Sequence, residues 1–231
     1  MSQKLEASPK SDIIYPESDG KPMAENTEQF TWIVVIKENL EILFANNTDV
    51  FVAGDLLWYP VEGNNKLCQA PDTLVVFGRP KGKRGSYKQW EEDDIPPQVV
   101  FEVLSPANSL KEMAKKWQFY DRYGVEEYYL YDPDRLDLNG WQRSETQLTV
   151  IEEMNGWVSP RLGIRFEMTE NGLEIYRPDG RRFLTPIELD QRVQEAEQRA
   201  QEAEQRAQTA QQRIQQLEAR LRELGIDPEQ A

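Results

Sequence analysis

The sequence predicts an α/β domain with a mixed central β-sheet flanked by helices, followed by a C-terminal coiled-coil helix. Up to about residue 134, segments with helical spacing of apolar residues alternate with short runs rich in Val, Phe and Tyr. After about Pro186 the composition changes to Gln, Glu, Ala and Arg, and residues 194–207 repeat QEAEQRA twice. A seven-residue repeat of this kind is typical of a coiled coil.

The length and composition suit one medium domain with an appendage. The chain has 231 residues, of which 39% are hydrophobic and 10% aromatic, so a proper core can form. We divide it into a flexible N-terminal lead (1–26), a globular domain (27–188), a coiled coil (189–225) and a tail (226–231). No apolar run approaches the roughly 18 residues of a membrane span. The start of the chain lacks the apolar core of a signal peptide, so a cytoplasmic location is expected.

Apolar spacing and turn residues predict the elements of the domain in order. Thr27 is the expected N-cap of the first helix, and Gly124 is expected to end the second. The helices are expected at 27–46 and 109–124, the strands at 51–60, 68–78, 98–105 and 125–134, a loop at 79–97, and hairpins over the following fifty residues.

The residue types exclude several classes of chemistry. The chain has no histidine and a single cysteine, Cys68. Ser-His-Asp and Cys-His catalysis, histidine-bound metals and cysteine zinc sites are therefore excluded. Any metal must be bound by oxygen, which favours Mg²⁺, Mn²⁺ or Ca²⁺. The net charge of −14 argues against a nucleic-acid coat protein, although a local basic patch can still bind nucleic acid.

One carboxylate interrupts the most apolar predicted strand. Glu102 stands within VVFEVL (99–104), and the neighbours on its own face are Val100 and Leu104. A lone buried carboxylate costs several kcal/mol unless it is paired, protonated or bound to a metal. Its partner must therefore come from another part of the chain.

Two charged residues are candidates to lie near Glu102. Asp72 follows Pro71 at the start of a predicted strand, and two carboxylates on adjacent strands commonly hold a divalent cation. An ordinary turn acid after proline is the alternative for Asp72. Lys116 borders the apolar face of the second helix and could steady a bound hydroxide or phosphate. The residues that define this face are Met113, Trp117 and Tyr120. A lysine whose stem covers apolar surface while its ammonium stays in water is the alternative for Lys116.

A glycine-interrupted basic segment is a candidate nucleic-acid contact. Mobile basic loops with aromatic residues suit phosphate binding and base stacking. The acidic run EEDD (91–94) beside the segment favours a solvated hairpin tip instead. The candidate DNA-binding residues are Lys81, Lys83, Arg84 and Lys88.

The heptad seam predicts a parallel homodimer. Its a and d positions alternate from Val193 to Leu224, with Ile214 at a and Leu217 at d. The g positions carry arginine and the e positions mostly glutamate, which are complementary only when two copies run parallel. A solitary exposed helix, or one folded against its own domain, is the alternative.

Three segments together resemble the Uma-type family of endonucleases, which belongs to the restriction-endonuclease-like superfamily with the PD-(D/E)XK signature. The segments are PDTLVVFG (71–78), VVFEVLSP (99–106) and KKWQFYDRYGVEEYYLYDPD (115–134). The resemblance covers roughly residues 25–185, and the order and spacing of the segments make it specific.

The resemblance implies a role for each matching residue. Asp72 matches the first acid of the signature and Glu102 the second. Leu104 stands where the superfamily lysine would be, and Lys116 matches the position to which the lysine has moved in this family. The superfamily often takes a further acid from the first helix. Glu28 is the candidate by position, with Glu38 and Glu41 as rivals.

The implied activity is metal-dependent hydrolysis of DNA phosphodiester bonds. Mg²⁺ or Mn²⁺ held by Asp72 and Glu102, with Glu28 as a further ligand, would activate water and take up charge on the phosphate. Lys116 would position or deprotonate the water and stabilise the oxyanion. The alternative is a catalytically inactive nuclease-fold protein that acts as an interaction module through its coiled coil.

Overall fold

The computed structural model describes residues 13–20 and 22–223. They form two compact units that divide between Phe183 and Leu184. The first unit contains two helices and ten strands, and the second contains one long helix. The elements are α1 (Thr27–Leu43), β1 (Val50–Ala53), β2 (Trp58–Tyr59), β3 (Thr73–Phe77), β4 (Tyr87–Lys88), β5 (Val99–Val103), α2 (Leu110–Arg122), β6 (Glu127–Asp132), β7 (Asp137–Ser144), β8 (Gln147–Val150), β9 (Arg165–Thr169), β10 (Gly172–Tyr176) and α3 (Pro186–Glu223).

A six-stranded sheet in the order β1-β3-β5-β6-β7-β8 forms the centre of the first unit. Strands β5 and β6 are parallel, and every other neighbouring pair in this sheet is antiparallel. The parallel pair needs a crossover connection, which α2 supplies. The predicted mixed sheet flanked by helices is confirmed.

Alternate residues of the central strands pack on two opposite faces of the sheet. On one face, α1 and the β9–β10 hairpin cover residues such as Val75, Phe101 and Tyr129. On the other face, α2 covers residues such as Leu74 and Val100. Strand β5 is buried along its whole length, because helices or hairpins cover both faces.

The first predicted strand is wrong in extent. Strand β1 ends at Ala53, and Asp55 then adopts a left-handed backbone conformation with φ of 49°. An extended strand cannot continue through that conformation. Residues 58–59 instead form β2, which pairs in parallel with β4 in a small separate sheet. The segment 79–97, expected to be all loop, therefore contains a strand and a 3₁₀ turn at Gln89–Glu91.

The caps of the two helices differ slightly from expectation. Asn26, and not Thr27, is the N-cap of α1, since its side chain accepts a hydrogen bond of 2.7 Å from the Gln29 amide. Ser109 caps α2 by accepting from the Glu112 amide at 3.2 Å. Gly124 follows the end of α2 with φ of 91°, as the glycine suggested.

The second unit is the 38-residue helix α3, which begins where the composition changes. Thr185 caps it, accepting from the Glu188 amide at 3.2 Å while the Glu188 carboxylate accepts from the Thr185 amide at 2.8 Å. Most apolar residues of the predicted seam are exposed, among them Val193, Ile214 and Leu217. Leu224, the predicted tail and residues 1–12 of the predicted lead lie outside the described residues. Within the described ranges, no helix has the length and apolar character needed to cross a membrane.

Candidate active site

Asp72 and Glu102 lie on the same face of the central sheet. Strands β3 and β5 pair Thr73 with Phe101, and one further step in this antiparallel register sets Asp72 opposite Glu102. Residues directly opposite each other on neighbouring strands point to the same face. Both side chains therefore point towards α2, and both are buried, with exposures of 8% and 2%. The predicted acids are brought together.

Two side chains one turn apart on helix α2 donate hydrogen bonds to the buried carboxylate of Glu102. The Lys116 ammonium donates to the Oε2 atom of Glu102 at 2.7 Å. The Tyr120 hydroxyl donates to the Oε1 atom of the same carboxylate. Residues four apart on a helix face the same way, so the spacing of Lys116 and Tyr120 presents both donors to one acceptor. The missing partner of Glu102 thus comes from the following helix.

Asp72 is held by the backbone of the neighbouring strand. Its Oδ2 atom accepts a hydrogen bond of 2.6 Å from the Val103 amide. Burial raises the pKa of Asp72 well above its ordinary value, and the negative charge of Glu102 raises it further. Lys116 and the Val103 amide lower this pKa but do not outweigh burial. Burial and the neighbouring acid therefore both disfavour the ionised form of Asp72 in the metal-free site.

Lys116 is the cation that both acids share. Burial lowers its pKa, but the charges of Glu102 and Asp72 outweigh burial, and the net shift is upward. The ammonium is therefore protonated at neutral pH. A divalent cation beside Asp72 would favour the ionised form of its carboxyl group, because an opposite charge nearby lowers the pKa of a carboxyl.

A polar cavity of about 210 Å³ opens beside this cluster. Asp72 and Lys116 line it, whereas Glu102 lies behind Lys116 and is not part of the wall. The other polar residues of the wall include Asp19, Glu25, Gln29, Asp55, Gln69, Asn108 and Glu112. With five carboxyl groups and one ammonium in its wall, the cavity favours a cation over a phosphate alone.

Glu28, the predicted further acid, lies away from the cavity wall. Its Oε1 atom accepts from the indole of Trp32 at 3.1 Å. The next residue, Gln29, does line the cavity, and the Nε2 atom of its side-chain amide donates to the Val103 carbonyl at 2.9 Å. The rival acids lie elsewhere on α1, where Glu38 pairs with Lys37 at 2.9 Å and Glu41 pairs with Lys81 at 3.3 Å.

Sequence reasoning missed three residues of the site. Tyr120 was assigned only to the apolar face of α2, although its spacing from Lys116 could have indicated a shared target. Gln29 fixes the Val103 carbonyl, while Asp72 fixes the Val103 amide. Asp55 reaches the cavity because its amide donates to the Pro71 carbonyl at 3.1 Å, and no local sequence signal indicates this contact.

The basic segment 79–88 is largely neutralised by the acidic run that follows it. Arg84 donates to Glu92 at 2.6 Å and lies 4.0 Å above the ring of Phe51. Lys88 pairs with Glu91 at 3.2 Å, and Lys81 with Glu41 at 3.3 Å. Lys83 is exposed and has no ion pair among the residues that the structure describes. Among the four candidate DNA-binding residues, Lys83 is the one available to a phosphate.

The acids suit a hard cation in kind and in number. Within the described ranges, no three carboxylate or thiol side chains are grouped closely enough to form a complete protein cage for a metal. Mg²⁺ does not need such a cage, because it keeps several waters and is usually held by one or two carboxylates together with substrate phosphates. The β3–β5 register, which sets Asp72 opposite Glu102, supports this fit. These two residues would hold the ion.

The first unit is thus an α/β fold whose mixed sheet carries an acid pair and a lysine on one side. The chain belongs to the Uma2 family, described as "Putative restriction endonuclease", whose model matches residues 5–199. The match confirms the resemblance seen in the sequence.

A similar solved structure is titled "Crystal structure of a putative nuclease belonging to DUF820 from Anabaena variabilis ATCC 29413". It is 16% identical, with a TM-score of 0.45 over 61% of this chain and 74% of that chain. No curated protein matches the sequence.

Proposed function

We propose that the protein is an endonuclease that hydrolyses DNA phosphodiester bonds with Mg²⁺ or Mn²⁺. One observation carries the proposal: Asp72 and Glu102 lie opposite each other across β3 and β5, and Lys116 reaches them from α2. Membership of a family described as a restriction endonuclease supports DNA as the substrate.

Each residue of the site has a distinct task in this proposal. Asp72 and Glu102 would hold the ion, which supplies Lewis acidity to the scissile phosphate when it is bound. The Val103 amide fixes the Asp72 carboxylate, and the Tyr120 hydroxyl fixes that of Glu102. The Lys116 ammonium at the cavity wall stabilises negative charge that develops on the phosphate oxygens.

DNA contact outside the cavity would use few cations. Lys83 is the exposed lysine of segment 79–88, whereas Lys81, Arg84 and Lys88 are paired with carboxylates. A site with few phosphate contacts should bind DNA weakly and with a small salt dependence. Glu28 contacts Trp32 and would take part in ion binding only after a change of rotamer.

We also propose that α3 forms a parallel homodimer. Arginines at 199, 206 and 213 occupy g positions, and Glu204, Gln211 and Glu218 occupy the e positions that a parallel partner would place opposite them. The exposed Ile214 and Leu217 at a and d support such a contact, because exposed apolar rows on a helix are commonly buried by association.

A catalytically inactive interaction protein is the second candidate. The ion pair of Lys116 with Glu102 supports it, because this pair satisfies the buried acid without any metal. On that alternative, α3 recruits a partner and the fold of the first unit is retained for stability alone.

Cleavage of labelled duplex DNA with and without Mg²⁺ separates the two candidates. The wild type should cleave only with the ion, and Asp72→Asn or Glu102→Gln should lose at least about 100-fold in rate while remaining folded. Glu152→Gln, which changes an exposed carboxylate between β8 and β9, is the matched control and should cleave normally. A folded Glu102→Gln protein that cleaves at the wild-type rate would contradict the proposal.

A further inference from the structure

The two oxygens of Glu102 have partners of different character. Tyr120 on Oε1 is fully buried, and its ring stacks on Trp58 with an interplanar angle of 3°. Lys116 on Oε2 carries its ammonium on an unbranched four-carbon stem, keeps 15% of its side chain exposed and lines the cavity. The core therefore fixes one partner of the carboxylate, while the other can move.

Lys116 stands between Glu102 and the cavity. Asp72 and Lys116 form part of the cavity wall, but Glu102 does not. An ion that enters the cavity can reach Asp72 directly. It can reach the Oε2 atom of Glu102 only after the ammonium of Lys116 has left it, because that ammonium is 2.7 Å away.

We propose that Lys116 is an exchangeable counter-ion that occupies the cation position on Glu102, and that Tyr120 is the positioning residue that holds the carboxylate during the exchange. The inference rests on the proposed function, since it assumes that a divalent ion binds at this site. When the ion enters, Lys116 gives up Oε2 and becomes free to contact a phosphate in the cavity. Lys116 therefore neutralises Glu102 in the metal-free site and contacts phosphate in the metal-bound site.

The chemistry of the donors supports this division of roles. An ammonium and a divalent cation compete for the same oxygen, because both are attracted by its negative charge. A phenol does not compete, since it donates a hydrogen bond whether or not an ion is present. A hydrogen bond to a ligating carboxylate also orients it for the metal, and losing such a contact typically lowers metal affinity about 10–100-fold.

Calorimetric titration of Mn²⁺ alone into four proteins tests the inference without any DNA. Lys116→Met should bind Mn²⁺ about tenfold more tightly than the wild type, because the competing charge is gone. Tyr120→Phe should bind about 10–100-fold more weakly. Tyr128→Phe is the matched control, because its buried hydroxyl has no hydrogen-bond partner among the described residues and its ring lies 5.1 Å from that of Tyr120. Its affinity should equal that of the wild type.

The outcomes separate the inference from the proposed function. If the wild type binds Mn²⁺ and Lys116→Met binds equally or more weakly, the exchange is wrong and the proposed nuclease stands. If Tyr120→Phe and Tyr128→Phe weaken binding equally, Tyr120 is not a positioning residue. If neither the wild type nor Lys116→Met binds Mn²⁺, both the exchange and the metal-dependent function are wrong. Circular dichroism of each variant confirms that it is folded before titration.

Discussion

The ammonium of Lys116 lies 2.7 Å from the Oε2 atom of Glu102, and the two side chains are 15% and 2% exposed. A carboxylate in the middle of a strand covered on both faces thus has a cation from the following helix as its partner. Such a pair is a weak source of net stability, but the loss of one member leaves the other charge buried and unpaired.

Removing the Lys116 ammonium alone should therefore destabilise the metal-free protein. We expect Lys116→Met to lower the free energy of unfolding by about 2–4 kcal/mol, because Glu102 loses its counter-ion. Adding Glu102→Gln to Lys116→Met should recover most of this loss. Urea denaturation of the single and double variants in the presence of a chelator measures both values. Equal destabilisation of the single and double variants would contradict the coupling.

The two facing acids should lower the stability of the metal-free protein, although the proposed function requires both. Asp72→Asn keeps an acceptor for the Val103 amide but removes one of two facing charges. We expect this substitution to raise the free energy of unfolding of the metal-free protein at pH 7 by about 1 kcal/mol. With saturating Mn²⁺ the wild type should become more stable than Asp72→Asn, because the ion stabilises only the protein that binds it.

The gain from Asp72→Asn should depend on pH in a fixed direction. The folded state raises the pKa of Asp72, with burial as the first cause and Glu102 as the second. Below the unfolded pKa, the carboxyl is neutral in both states, and wild type and variant should have similar stability. As pH rises through the raised pKa, the wild type loses stability relative to Asp72→Asn. Denaturation between pH 3 and pH 8 measures this trend, and a gain that shrinks as pH rises would contradict it.

Much of the fold could be predicted from sequence because the pattern of apolar residues was locally decisive. The apolar run at 99–104 predicted a central strand, and the spacing of Met113 and Tyr120 predicted the apolar face of α2. The break after Ala53 was missed, because a left-handed residue such as Asp55 is set by contacts with Pro71 rather than by its neighbours in sequence.

The site was less predictable than the fold. Glu102 was singled out because an acid is unusual within an apolar strand, and Asp72 because it starts a predicted strand and matches the first acid of the signature. The register of β3 and β5 sets them opposite each other. A shift of one residue on a helix rotates the side chain by about 100°, which is enough to turn Glu28 towards Trp32 and Gln29 towards the cavity. The spacing of residues on α1 could not fix that rotation.

Lys83 and Arg84 should differ in what they contribute, although they are adjacent. Arg84 is partly buried against Glu92 and Phe51, so Arg84→Ala should lower the free energy of unfolding by about 2 kcal/mol. Lys83→Ala should leave stability within about 0.5 kcal/mol of the wild type.

DNA binding provides the complementary test of this loop. In a Glu102→Gln background that does not cleave, Lys83→Ala should weaken DNA binding and reduce the slope of log K against log salt by about 0.9, as expected for one phosphate contact. Fluorescence anisotropy at several salt concentrations measures the slope. An unchanged slope would show that this lysine does not contact DNA.

A charge placed in the apolar seam of α3 should disrupt the proposed dimer, whereas a charge placed beside the seam should not. We expect the wild type to have the mass of a dimer by light scattering, and Leu217→Asp to have that of a monomer, because the d position would be buried between copies. Gln215→Asp, at an outward-facing b position of the same heptad, is the control and should remain dimeric. Monomeric wild type at high concentration would contradict the proposed pairing.

The most direct test of the site is anomalous X-ray scattering from crystals soaked with Mn²⁺. We predict a peak within about 2.5 Å of carboxylate oxygens from both Asp72 and Glu102, with the ammonium of Lys116 displaced from Glu102. A fully soaked crystal in which Lys116 still contacts Glu102 and no peak lies beside Asp72 would contradict a metal-dependent active site. The fold would then be better interpreted as that of an interaction protein.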